Sequence, residues 1–169
     1  MRRWAASPAS VLLPHETGAT FAENAFIKAR AAAAATGRVT VADDSGIEAE
    51  ALGGAPGVRS ARYAGEHATD AENLAKLLAE APAGSALAYV CALAYVDPHA
   101  REEHLVEGRC TGTLAQEPRG DGGFGYDPAF VPDDRDDGLT MAELDPADKD
   151  AISHRGRAAR ALLEWLGQA

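Results

Sequence analysis

Thr20-Phe21-Ala22-Glu23-Asn24-Ala25-Phe26-Ile27-Lys28-Ala29 runs through an alanine tract to Gly37 and then into Val39-Thr40-Val41-Ala42-Asp43-Asp44-Ser45-Gly46. Thr20 and Glu23 spell a T-x-x-E capping box, and Gly37 is a helix stop, so the first part predicts a helix with Glu23 in its first turn and Lys28 mid-helix. The run 39–42, with β-branched Val39, Thr40 and Val41, predicts a short strand, ending in an acidic turn at 43–46. A capped helix feeding directly into a strand sets the class as α/β.

Working outward, a second capping box, Thr69 with Glu72, opens a helix carrying Leu74, Leu77 and Leu78. The Tyr-, Val- and Leu-rich run 86–96 reads as a buried strand that turns at Asp97-Pro98-His99 into another strand near 103–113. A last helix is expected over 147–166, with Ile152, Ala159, Leu162, Leu163 and Leu166 facing inward. No internal repeat and no long linker interrupts the chain. Its 169 residues therefore read as a single domain, 1–169, large enough to bury a core without disulfide or metal staples.

Composition excludes several classes. Apolar residues make up 46% and charged residues 25%, ordinary values for a soluble globular protein. No apolar run approaches the roughly 20 residues of a membrane span, and Met1-Arg2-Arg3-Trp4 does not lead into a secretory signal, so the expectation is a cytoplasmic protein with no membrane partner. Cys91 and Cys110 lack CxxC spacing and read as reduced, structural thiols. A formal charge of −10 argues against nucleic acid as a partner, where basic patches dominate affinity. A small phosphorylated substrate is still allowed, given converging Lys and Arg residues or a bound cation.

Several constellations can carry chemistry. Gly120-Asp121-Gly122-Gly123 precedes Phe124-Gly125-Tyr126-Asp127-Pro128, so a flexible backbone delivers an aromatic face and a carboxylate together, suited to a flat polar ring. A tight turn capped by Pro128 is the plainer alternative. Asp43 and Asp44 can hold a hard cation such as Mg²⁺ or orient a water, or else simply form an Asx turn. Glu16 and Glu23 offer further oxygens, Glu23 being already employed as a capping residue. Lys149, Ser153, His154 and Arg155 crowd one and a half helical turns, with Lys149 and Ser153 on one face and His154 and Arg155 at its rim. They supply a point charge, a bidentate fork and a donor for a carbonyl oxygen, unless they form only a solvated helix face. The run Asp133-Asp134-Arg135-Asp136-Asp137-Gly138 imitates an EF-hand, but Arg135 takes a ligand position and Leu144 stands where the bidentate Glu belongs.

Five blocks stand in order: 20–29 as quoted above; Ala42-Asp43-Asp44-Ser45-Gly46; Leu52-Gly53-Gly54-Ala55-Pro56-Gly57-Val58-Arg59-Ser60-Ala61-Arg62-Tyr63; Gly122-Gly123-Phe124-Gly125-Tyr126-Asp127-Pro128; and Lys149-Asp150-Ala151-Ile152-Ser153-His154-Arg155. Together they resemble the signature blocks of the inosine triphosphate pyrophosphatase family, also called XTP/dITP diphosphatases. The resemblance runs from about Glu16 to the C-terminus. It implies a long mixed β-sheet flanked by helices in two lobes with a central cleft. It also implies a homodimeric, Mg²⁺-dependent enzyme that hydrolyses ITP, dITP and XTP to the monophosphate and pyrophosphate, clearing deaminated purines from the nucleotide pool.

Residue by residue, the resemblance makes Asp44 the proton acceptor and a metal ligand, with Glu16 as the second ligand. The family often shows two consecutive acids there, where this chain has His15-Glu16. Ser45 becomes a substrate contact and Lys28 a phosphate contact. Phe124, Gly125, Tyr126 and Asp127 would hold the base, with Lys149, His154 and Arg155 reading its oxygen-bearing edge. At the other end, the family's opening strand and (Ser/Thr)-x-Asn-x-x-Lys phosphate turn find no match, and Met1-Arg2-Arg3-Trp4 is similar to the middle of the helix that follows them. The expectation is a domain lacking that first strand and turn. A catalytically impaired nucleotide-binding protein and a pyrophosphatase for other modified nucleotides stand as the alternatives.

Overall fold

The computed structural model describes residues 14–168, so the stretch around Met1-Arg2-Arg3-Trp4 lies outside the described residues. Helix α1 (Phe21–Thr36) starts where the capping box puts it: the Thr20 side chain accepts from the Glu23 amide, and Glu23 reaches back to the N-cap. Gly37 closes it in the left-handed conformation, φ 62°, which a side chain would resist. Strand β1 (Thr40–Ala49), helix α2 (Asp70–Glu80), strands β2 (Ala86–Asp97) and β3 (Glu102–Leu114) and the short β4 (Phe130–Pro132) follow. Helices α3 (Pro146–Ile152) and α4 (His154–Gln168) complete the chain. The second capping box holds as well, Thr69 and Glu72 bonding reciprocally at the start of α2.

The strands form one sheet in the order β1-β2-β3-β4, with every pairing antiparallel. The expected mixed sheet is therefore corrected, among the described residues, to an antiparallel meander. Only β2 and β3 are joined by a short hairpin, at 98–101; the β1–β2 connection, 50–85, carries α2 and still returns antiparallel. Alternation along β2 divides two cores. Val90, Ala92, Ala94 and Val96 face α1, where Phe21, Ala25, Ala29 and Ala33 pack close enough to require alanines. Leu87 and Tyr89 face the other way, into a core with Ile47, Leu74, Leu77, Phe130 and Met141. On that same side Tyr95 meets Trp165 of α4 edge-on. Each face of the sheet is thus covered by its own helix layer.

Two further readings are corrected. Asp43-Asp44-Ser45-Gly46 is not a turn: β1 runs straight through it, with Asp43 opposite Leu93, Asp44 opposite Ala92 and Ser45 opposite Cys91. The ladder and the tertiary partners of both carboxylates outweigh the turn-forming composition. Gly46 belongs in this strand because a Cβ there would lie 2.6 Å from the Gly57 carbonyl oxygen. The single last helix is in fact two. Ser153 adopts extended backbone, φ −64° and ψ 151°, and its hydroxyl accepts from the Gly156 amide at 3.0 Å, an N-cap for α4. The break resets the inward face to His154, Ala158 and Leu162, leaving Ala159 exposed and Leu163 62% exposed.

Candidate functional site

Because β1 is a strand, neighbouring residues 44 and 45 project to opposite faces of the sheet. Asp44 points toward α1, where Asn24 and Lys28, one turn apart on that helix, reach it together. Lys28 Nζ donates to Asp44 Oδ1 at 2.7 Å and to Glu16 Oε1 at 2.9 Å. Asn24, fully buried, donates to Asp44 Oδ2 at 3.2 Å and accepts from the Gly18 amide at 2.8 Å. Arg62 approaches Glu16 at 3.7 Å. Burial alone would lower the Lys28 ammonium, but hydrogen bonds and charge from Asp44 and Glu16 outweigh it and hold Lys28 protonated. Burial raises the Asp44 carboxyl above its ordinary value, partly offset by Lys28 and Asn24, and so makes it a better proton acceptor.

Asp43 and Ser45 point to the other face. Ser45 donates to Asp43 Oδ2 at 3.1 Å, and Arg155 Nε donates to the same oxygen at 3.3 Å. Here lies a cavity of about 590 Å³, the size of a nucleoside site. The 120–127 loop walls one side and residues 146–155 the other, with Ser45 and Tyr89 at the base. The Phe124 ring stands 62% exposed at the mouth, with Lys149 Nζ 5.0 Å and the Arg155 guanidinium 5.5 Å from its centroid. Asp127, 4% exposed, organises this wall. Its Oδ2 accepts from Lys149 Nζ at 2.6 Å and from the Phe124 amide at 2.8 Å, and its Oδ1 from the Tyr89 hydroxyl at 3.1 Å. Gly123, at φ 72°, is required beneath it, since a Cβ would lie 2.6 Å from Lys149 Nζ.

His154 forms the floor opposite. Its ring lies parallel to Tyr89, centroids 4.7 Å apart. Burial, with the nearby Arg155 and Lys149 charges, lowers its pKa to about 3, so the imidazole is neutral near pH 7. Its Nδ1 is enclosed with no hydrogen-bond partner among the described residues. A bare acceptor is tolerated in burial more often than an orphaned N–H, which favours the tautomer with the proton on Nε2. The histidine thus offers the cavity a donor without a charge.

The sequence-expected residues fall into two groups. Ser45, Phe124, Gly125, Tyr126, Asp127, Lys149, His154 and Arg155 share the cavity, whereas Glu16, Lys28 and Asp44 meet on the opposite face of β1. Within the cavity, two base contacts are better described as supports. Tyr126 is buried with its hydroxyl donating to the Ser60 carbonyl, and the Gly125 amide donates to Asp70. His154 is floor, not rim. Sequence reasoning missed Asn24 and Tyr89. The four-residue spacing of Asn24 and Lys28 was a signal for the first, and nothing local marks the second.

Among the described residues no three His, Cys, Asp or Glu side chains gather as a metal-holding group. Glu16 and Asp44 nonetheless converge on one cation, the Lys28 ammonium. A pair of hard oxygens of this kind fits an ion bound by one or two carboxylates and completed by substrate phosphates.

Comparison with known proteins places this geometry in a family. The Ham1 family model matches residues 4–165. The dITP/XTP pyrophosphatase of Mycolicibacterium paratuberculosis is 56% identical over 155 residues, 89% of this chain and 74% of that protein. The dITP/XTP pyrophosphatase of Mycobacterium tuberculosis is 54% identical over 159 residues, again 89% and 74%. The solved HAM1 protein of Coxiella burnetii superposes with a TM-score of 0.88 at 45% identity, covering 95% of this chain and 83% of its own. The Ham1 protein of Staphylococcus aureus gives 0.84 at 40% identity, covering 91% and 80%. With the two-sided site on β1 and matches of this extent, the chain belongs to the Ham1 family.

Proposed function

We propose that this protein hydrolyses deaminated purine nucleoside triphosphates, dITP, ITP and XTP, to the monophosphate and pyrophosphate, the activity for which its curated relatives are named in the case of dITP and XTP. The observation that carries the reading is the neutral, donor-bearing His154 in a cavity mouthed by the Phe124 ring. A 6-oxo purine presents an acceptor where adenine presents an amino donor, so His154 Nε2–H pairs with the former and is left unpaired by the latter, while Lys149 keeps its Asp127 partner in either case. An unpaired buried donor supports discrimination against adenine of up to about 10⁴-fold. Phe124 supplies the stacking face, and Arg155, free to turn from Asp43, the second cation at the mouth.

The triphosphate would pass over β1, from the Ser45 side to the Asp44 side. There Asp44, raised by burial, accepts the proton of the attacking water, and Lys28 carries positive charge to the phosphates. Glu16 and Asp44 are the residues that would hold Mg²⁺, which when bound neutralises phosphate charge as a Lewis acid. A single domain acting as a cytoplasmic homodimer is part of the proposal, as is the absence of nucleic-acid and membrane partners. A net charge of −10 supports the former absence. No described helix is long and apolar enough to cross a membrane. The test is pyrophosphate release from a panel of nucleoside triphosphates with Mg²⁺. Selective turnover of dITP, ITP and XTP over dATP is expected, and an equal rate on dATP would refute the assignment.

A further inference from the structure

Tyr89 lies in the first half of β2, an inner strand of the sheet, opposite Ile47 on one side and Cys110 on the other, and is 7% exposed. Its ring is the middle of a three-ring stack, with Phe130 at 4.5 Å and 25° behind it and His154 at 4.7 Å and 13° in front. Its hydroxyl donates to Asp127 Oδ1, while Oδ2 of the same carboxylate gathers Lys149 and the Phe124 amide. One side chain, rooted in the rigid middle of the sheet, therefore touches both walls of the cavity: the start of α4 through its ring, and the glycine-rich loop through its hydroxyl. The Lys149–Asp127 ion pair also joins the two walls, at 2.6 Å, but among the described residues no hydrogen bond joins His154 itself to the loop, so Tyr89 is the side chain that relates His154 to that pair. Burial and the facing Asp127 keep the phenol protonated and donating.

We propose that Tyr89 is a positioning residue for base selection, setting the distance between the His154 donor and the Lys149–Phe124 clamp so that a 6-oxo purine fits both at once. The inference rests on the hydrolysis of deaminated purine triphosphates proposed above. Asp44 lies on the opposite face of the sheet, so the consequence is a split: Tyr89 governs base binding and leaves the chemical step to Asp44.

The experiment compares the parent with Tyr89→Phe, which removes only the hydroxyl, and with Tyr89→Leu, which removes the stack. KM and kcat are measured for dITP and dATP with Mg²⁺, together with inhibition by inorganic tripolyphosphate, which has no base. Tyr89→Phe is expected to raise the KM for dITP about tenfold, the loss of one hydrogen bond to a charged acceptor, with kcat within about twofold of the parent. Tyr89→Leu is expected to narrow the dITP-to-dATP ratio further, and tripolyphosphate inhibition should be unchanged in both. An unchanged KM and ratio in Tyr89→Phe overturns the inference while leaving the activity standing. So does an equal weakening of tripolyphosphate, which marks a general structural defect. A parent that releases pyrophosphate from no 6-oxo purine triphosphate overturns the underlying activity and this inference with it. If Tyr89→Leu melts near assay temperature, the near-isosteric Tyr89→Phe decides alone.

Discussion

At Asp44 the demands of folding and of the proposed chemistry meet in one side chain. Its carboxylate is 8% exposed as a residue and receives Lys28 and Asn24, a pairing that keeps a buried charge tolerable while leaving it raised enough to take a proton. Asp44→Asn keeps the shape but removes the proposed proton acceptor and leaves one acceptor oxygen for the two donors Lys28 and Asn24. Turnover should fall by more than about 10²-fold, the scale of general-base catalysis, with nucleotide affinity by calorimetry nearly retained, because the base is held on the other face. Residual activity of more than a few per cent would transfer the role elsewhere. Phe124 gives the reciprocal case. Its ring is exposed and supports no core, so Phe124→Ala should leave the melting temperature unchanged and weaken nucleotide binding by about 1–3 kcal/mol, the loss of one base–aromatic stack. Unchanged binding would make the loop structural.

Elements that announce themselves locally were legible in the sequence. Both capping boxes bond as written, and α1, α2, β2 and β3 lie within a few residues of their expected bounds. What the sequence hid depends on partners distant along the chain. Asp-Asp-Ser-Gly reads as a turn until Lys28 and Arg155, arriving from opposite faces, make a carboxylate pair acceptable within a strand. The break at Ser153 was hidden by continuous helical periodicity, although a serine three residues before Gly156 is an N-cap in its own right. The site was legible as a set of residues and not as a geometry, since a strand in place of a turn sends Asp44 and Ser45 apart. Gly123→Ala tests how far the loop element sets the cavity. A Cβ at φ 72° beside Lys149 and Asp127 must displace their ion pair, so nucleotide affinity should drop at least about tenfold, read by calorimetry. Wild-type affinity would show that the wall is pliable.

Across the whole molecule, building a neutral histidine into the floor of the site ties stability to pH. His154 is 8% exposed and its pKa falls to about 3, against an ordinary 6.5 in the unfolded chain. Below pH 6.5 the unfolded chain binds a proton that the native state refuses. Unfolding then takes up protons, and stability declines as pH falls from 6.5 toward 3. At pH 5 the contribution is 1.5 units, about 2 kcal/mol at 1.36 kcal/mol per unit. The exposed carboxylates Glu72, Glu103, Asp137 and Glu143, whose partners hold them below their ordinary values, lose their contribution only further down, below about pH 4.5. The raised Asp44 carboxyl works in the opposite sense and is common to parent and variant, so over 6.5 to 5 the difference from a His154 variant isolates the histidine. His154→Phe retains a ring to stack on Tyr89 and cannot titrate, so its unfolding free energy by urea should drop less between pH 7 and pH 5 than the parent's, by about 2 kcal/mol. Parallel losses in the two proteins would mean that His154 takes up its proton in the native state at ordinary pH. It would then enter the cavity as a cation, and the selection of a 6-oxo base would rest on charge in place of a neutral donor.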